Sequence, residues 1–153
     1  MGGSSSGSWS RLGNVRALEE KAKLALQPKK KNVFISFSSE DMNEVNLLRG
    51  QAKNENSDIE FNDHSVKTAY NSEVAEYIKR KITERINRTS TTVVYLTENT
   101  SKSQWVRWEV EKSHALGKKV IAVHKGDKFN GIIPSWLNAS KIVSWSNLSN
   151  ALD

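Results

Sequence analysis

Trp105 and Glu109 lie one helical turn apart. At i and i+4 of a helix they share a face. An indole beside a carboxylate can wall a pocket, stack on a ring and lower the local dielectric, which raises the carboxyl pKa. On residue types alone, the plainer reading of Glu109 is a solvated helix carboxylate with Lys112 and Ser113 as neighbours. Trp105 and Trp108 then read as packing residues. A second group, Ser38, Ser39 and Asp41, follows a short apolar run. These side chains can cap a helix, and the free N–H groups of a helix start also suit a phosphate. Phe37, just before them, is either core or a platform for an aromatic ring. Asp63, His64 and Ser65 form a polar cluster that is either a turn or a ligand contact. The chain has no cysteine and three scattered histidines. That excludes a thiol nucleophile, a cysteine zinc site and a disulfide scaffold, and argues against a histidine zinc site. His114 and His124 read as structural.

The elements that must position these residues follow from hydrophobic patterning. Asn32–Phe37, Thr91–Thr97 and Lys119–His124 are short runs, apolar through the middle and rich in β-formers. Such runs suit strands covered on both faces of a parallel sheet. Asp58–Phe61 and Lys141–Trp145 are weaker strands, expected nearer the edges. Helices are predicted between them: Met42–Lys53, Ser72–Asn87 with a stripe of Val74, Ile78, Ile82 and Ile86, and Gln104–Leu116. The last is expected to open on a capping box of Ser101 and Gln104 and to close at Gly117. A final turn or short helix covers Ser146–Leu152. The alternation predicts a doubly wound α/β domain in flavodoxin-like order 2-1-3-4-5.

In such folds ligands bind beyond the carboxyl ends of the strands. That places Phe37–Asp41, Asn62–Asn71, Thr97–Ser103 and His124–Asp127 at the functional rim. The usual occupants of that rim are absent. The segment after the first strand, SFSSEDMNEV, has no glycine. It therefore carries neither a dinucleotide fingerprint nor a Walker loop, nor the glycine a flavodoxin phosphate loop would want. The third strand ends Tyr95-Leu96-Thr97, without the aspartate of a phosphoryl-accepting receiver.

The net charge is +6 over 153 residues. Residues 1–31 hold seven basic and two acidic residues, and the remainder is almost balanced at 16 against 15. The basic excess therefore reads as a solvated leader, not a nucleic-acid footprint. Residues 1–30 are expected to be a flexible basic leader with one appended helix over Asn14–Gln27, and residues 31–153 the folded domain. Gly2 and Ser6 fit a myristoylation pattern, but in Gly/Ser-rich chain the plainer reading is a tail. No run approaches a membrane span and no apolar segment follows the N-terminus. The expectation is a cytoplasmic protein with neither a membrane nor a nucleic-acid partner.

Three segments carry a family resemblance: Val33–Asp41 (VFISFSSED), Phe61–Ser65 (FNDHS) and Gln104–Val123 (QWVRWEVEKSHALGKKVIAV). The chain resembles the TIR family and, within it, the TIR-like proteins of bacterial antiviral defence of the Thoeris type. The likeness covers about residues 31–145. The W-V-x-x-E core and the G-K before the following strand are its most specific part. It implies a flavodoxin-like three-layer sandwich on a five-stranded parallel sheet, and cleavage of NAD at the nicotinamide–ribose bond. The product would be ADP-ribose or a cyclic ADP-ribose-type signal read by a separate effector protein. NAD is then the substrate, with no cofactor and no metal. The family's catalytic glutamate falls on Glu109. Phe37, Ser38, Ser39, Asp41, Asp63, His64, Ser65 and Trp105 are the expected substrate-binding residues. Joined to the strand-end rim, the W-V-x-x-E resemblance implies a pocket lined by Phe37, Ser38, Asp63, Trp105 and Glu109, with Glu111 facing elsewhere. Self-association through TIR surfaces is also implied. The segment DHSVKTAYN lacks the proline of eukaryotic adaptor TIR domains, which fits the enzyme-bearing branch. A non-catalytic TIR-like interaction module is the alternative.

Overall fold

The structure is a computed structural model that describes residues 15–19, 31–63 and 69–153. Residues 15–19 are helical, with Val15 and Leu18 exposed. The rest of the expected leader helix, and His64 and Ser65, lie outside the described residues.

Five strands form one sheet in the order β2-β1-β3-β4-β5. They are β1 (Lys31–Ser36), β2 (Ile59–Asn62), β3 (Thr91–Tyr95), β4 (Lys119–His124) and β5 (Lys141–Ser144). All four pairings are parallel. This is the predicted flavodoxin-like order. The central strands are the ones whose sequences are apolar throughout, because both of their faces are covered. Val93, Val94 and Tyr95 of β3 and Ile121, Ala122 and Val123 of β4 have no exposed surface.

The helices are α1 (Met42–Asn54), α2 (Ala75–Asn87), α3 (Gln104–Ala115) and the short α4 (Leu148–Ala151). Period-2 alternation sorts each strand between two layers. Val33, Ile35, Val93, Tyr95, Ile121 and Val123 face one side, with Val45 of α1 and Leu148 of α4. Phe34 faces the other, with Ala75, Ile78, Ile82 and Ile86 of α2 and Trp105 of α3. Val94, Val120 and Ala122 pack there against Val106 and Val110 of α3. The result is a three-layer sandwich. Each fully buried branched side chain contributes roughly 1.5–3 kcal/mol of apolar burial.

Local detail departs from the sequence reading at three points. Val74 does not join the α2 stripe; it precedes the first turn and is exposed, and Ala75 takes the inward position. The cap of α3 is Ser103, whose Oγ accepts from the Val106 N–H at 3.2 Å. Ser101 instead sits in a preceding 3₁₀ turn, Thr100–Lys102. Neither Ser38 nor Asp41 makes a side-chain capping bond at the start of α1. The stop of α3 does behave as expected. Gly117 adopts φ +72°, Lys118 N–H donates to Ser113 C=O at 2.9 Å, and Gly117 N–H donates to His114 C=O at 3.0 Å. That paired closure needs a left-handed residue, which glycine adopts without strain. Among the described residues, no helix is long and apolar enough to cross a membrane.

Candidate active site

α3 buries one stripe: Trp105, Val106, Glu109, Val110 and Ser113. The spacing is that of an inward helical face, and Glu109 occupies it as an ionisable group. Its relative exposure is 0%. Glutamate is almost never buried to that degree without hydrogen bonds to its oxygens. Ser36, the last residue of β1, donates its hydroxyl to Glu109 Oε1 at 2.9 Å. Ser36 is itself fully buried, between Ile35 and Phe37 in an otherwise apolar strand end. The backbone of Glu109 is anchored as well. Ser113 Oγ donates to Glu109 C=O at 2.7 Å and lies 2.7 Å from Thr92 Oγ1 of β3. Side chain and main chain of Glu109 are thereby tied to the sheet at two different strands.

Trp105 precedes this glutamate by one turn on the same buried stripe and is 9% exposed. Tyr70 meets it edge to face, with ring centroids 5.2 Å apart, and Trp108 meets it similarly at 6.3 Å. Such geometry is the preferred one for aromatic pairs. Lys79 of α2 lies over the Tyr70 ring at 4.5 Å. Glu111 contrasts with Glu109 two positions away. It is exposed and pairs with Arg107 at 2.9 Å on the outer face.

The remaining predicted site residues are dispersed. Phe37 is buried in the α1-side core with Val33, Ile35 and Val45, in the layer opposite the one that holds Trp105. Ser38 is buried in the turn after β1, and Ser39 is exposed. Asp41 is 6% exposed and accepts from Thr97 Oγ1 at 2.6 Å and from Asn99 Nδ2 at 2.9 Å. Asp63, just past β2, is bound by Arg49 of α1 at 2.8 Å, and its carbonyl accepts from Arg85 of α2. His114 Nε2 lies 3.1 Å from Leu137 C=O, and His124 is buried against Phe129. Two grooves of the described surface are lined without Glu109. One runs between α1 and β2 beside Arg49 and Phe61, another along α2 and α3 beside Lys79 and Trp108.

Sequence reasoning missed Ser36 and Thr92, and took Ser113 only as a neighbour of a solvated Glu109. For Ser36 the signal was present but faint: a single hydroxyl between Ile35 and Phe37 in an otherwise apolar strand end. Only the docking of α3 on the sheet shows that Ser36 meets Glu109 and that Thr92 meets Ser113.

Residues 34–128 match a family model described as Thoeris protein ThsB, TIR-like domain. The chain belongs to this family. The TIR-like domain also resembles the TIR domain of the Toll-related receptor TRR-2 from Hydra magnipapillata. That match has a TM-score of 0.51 at 17% identity and covers 78% of this chain and 87% of that one. It supports the fold alone. A protein of Cytobacillus dafuensis named as a candidate cyclic ADP-D-ribose synthase, TIR2, is 34% identical over 58 residues, or 38% of this chain. The TIR-like domain spans only 15% of the length of that relative.

Proposed function

We propose that the TIR-like domain cleaves NAD at the nicotinamide–ribose bond, with Glu109 as its catalytic carboxylate. The observation that carries this reading is the buried Glu109 on α3, held by Ser36 and one turn from Trp105 on the same inward stripe. Strongly sequestered carboxylates cluster at functional sites, because a purely structural position would be filled by an apolar residue at less cost. Breaking an N-glycosidic bond to a cationic leaving group builds an oxocarbenium-like ribose. Nicotinamide leaves without needing a proton, so one fixed carboxylate aimed at the ribose can suffice. It stabilises developing positive charge most strongly where water is excluded. The electron pair of the broken bond goes to the nicotinamide nitrogen, neutralising it. Attack by water at the ribosyl carbon then gives ADP-ribose, and attack by an adenine nitrogen gives a cyclic product. The relative named as a cyclic ADP-D-ribose synthase supports the second course. A role in antiviral defence, with a separate effector reading the product, belongs to the same proposal and is supported by the family membership.

A fully buried carboxylate cannot touch a ribose as it stands. Substrate entry therefore requires the Tyr70–Trp105 side to open, and self-association of TIR domains is one event able to open it. A non-catalytic interaction module is the second reading, favoured by this same burial. Purified protein incubated with NAD and followed for free nicotinamide separates the two. Nicotinamide release by wild-type protein, reduced about 10²–10³-fold in Glu109→Gln, is the expected result. Equal release by both proteins removes Glu109 from the mechanism.

A further inference from the structure

Asp41 sits at the switch in strand order, where the chain leaves β1 beside the end of β3. The sequence reading makes it a substrate contact. Its surroundings argue otherwise. It is 6% exposed, and each carboxylate oxygen already accepts a hydrogen bond, from Thr97 Oγ1 and from Asn99 Nδ2. Both donors belong to the connection between β3 and α3.

From there the bonding continues without a gap. Thr97 Oγ1 accepts from the Asn99 N–H at 3.0 Å, and Thr100 Oγ1 accepts from the Thr97 N–H at 2.8 Å. Thr100, fully buried, donates back to Tyr95 C=O at 3.1 Å. Ser103 N–H donates to Thr100 C=O at 3.1 Å, and Ser103 Oγ caps α3 at Val106. Trp105 and Glu109 follow within the first six residues of that helix.

We infer that Asp41 is a positioning residue: it latches the β3–α3 connection to the β1 turn and so sets where α3 begins and where Glu109 lies. The inference rests on the NAD-cleavage reading for its kinetic consequence, and on geometry alone for the latch. A carboxylate suits the task because it accepts at both oxygens and binds neutral donors more tightly than a neutral acceptor does. The latch matters for chemistry because a displacement of about 1 Å in a reacting group can cost about 10²-fold in rate.

Amide hydrogen exchange on the full chain tests the latch without substrate. In Asp41→Ala, the amides of Thr97, Asn99, Thr100 and Ser103 are expected to exchange at least about ten-fold faster, while those of Val120–Val123 stay unchanged. Asn99→Ala removes one arm of the latch from an accessible position and should give the same local pattern, more weakly. Combining it with Asp41→Ala should add less than the sum of the two effects, as expected for residues in one network. Unchanged exchange at 97–103, or equal acceleration in β4, overturns the latch. Steady-state nicotinamide release supplies the second arm. Asp41→Ala should lower kcat with KM within about three-fold, and Asp41→Asn should recover part of it. A raised KM at unchanged kcat makes Asp41 a ligand contact and overturns the inference. Wild-type protein that releases no nicotinamide sinks the NAD reading, and the exchange arm still decides the latch.

Discussion

Ser36 at the end of β1 and Glu109 in the middle of α3 are 73 residues apart in sequence and joined by a 2.9 Å hydrogen bond, with neither side chain reaching solvent. The hydroxyl donates and the carboxylate accepts. A bond to a charged acceptor in a dry interior contributes about 1.5–3 kcal/mol, above the range for neutral pairs. Ser36→Ala should therefore lower Tm by several degrees and reduce nicotinamide release, because Glu109 loses a contact that orients it. Ser36→Thr keeps the hydroxyl on a residue suited to a strand. It should recover most of the activity lost in Ser36→Ala. Parallel melting curves and nicotinamide assays on the two variants check this.

Glu111→Gln is the matched control for Glu109→Gln. The two residues share a helix and a chemistry but face opposite ways. Glu111 pairs with the exposed Arg107, and such i, i+4 pairs contribute about 0.3–0.5 kcal/mol. The expected outcome is wild-type turnover and a Tm within about 2 °C of wild type. Turnover lost equally in both variants would point to general damage to α3.

Trp105→Ala should be destabilising by about 3–5 kcal/mol, the usual cost of deleting a buried large aromatic side chain. The indole is 9% exposed and packs against Tyr70, Trp108 and the α2 face. Trp105→Phe keeps a ring and should lose less than half of that. Chemical denaturation, read as a shift in midpoint at constant slope, measures the difference.

Tyr95 lies at the end of β3 with its ring fully buried, and its hydroxyl has no hydrogen-bond partner among the described residues. Burial pushes the phenol pKa well above its ordinary value, and the nearby Glu44 carboxylate adds to this. A buried unpaired hydroxyl costs about 1–3 kcal/mol, and its removal at constant ring shape relieves that cost. Tyr95→Phe should leave Tm unchanged or raise it. A loss of several degrees would mean that the hydroxyl is satisfied in solution, by water or by Glu44.

Lys31, Asp58 and Ser149 join the start of β1, the entry to β2 and the C-terminal α4. Ser149 Oγ donates to Asp58 at 2.8 Å, and Lys31 Nζ lies 3.2 Å from the same carboxylate. The Ser149 bond, more than the lysine, lowers the Asp58 pKa. A depressed carboxyl pKa contributes stability above the unfolded value of about 3.9 and loses it as pH falls through the folded value. The Lys31 pKa is raised, first by Asp153. That contribution is complete below about 10.4 and disappears as pH rises through the higher folded value. Asp58 is exposed and Lys31 only half-buried, so solvent screening keeps both effects small. The Tm gap between wild type and Asp58→Asn should be constant from about pH 5 to 8 and close below about pH 4. A gap that widens in acid would contradict the assignment.

The sheet and its order were legible in the residues themselves. Apolar runs at 33–35, 93–96 and 120–123 leave little freedom. A chain that buries them on both faces must alternate strand and helix, and parallel strands require the crossovers that 42–54, 75–87 and 104–115 provide. Glu109 and Trp105 were legible as a pair because helical spacing is local. The partners of Glu109 were not. Ser113 is a local i+4 neighbour, but Ser36 of β1, which reaches the Glu109 side chain, and Thr92 of β3, which reaches Ser113, meet α3 only when it docks on paired strands. Phe37 illustrates the same limit from the other side. It follows Ser36 directly, yet strand alternation turns it into the α1-side core, away from Trp105. The fate of Asp41 turned on long-range geometry too, since its donors lie 56 and 58 residues onward. Sequence periodicity is a short-range property and determines elements and their buried faces. Which polar groups meet depends on how those elements dock, and that was decided only when the layers closed.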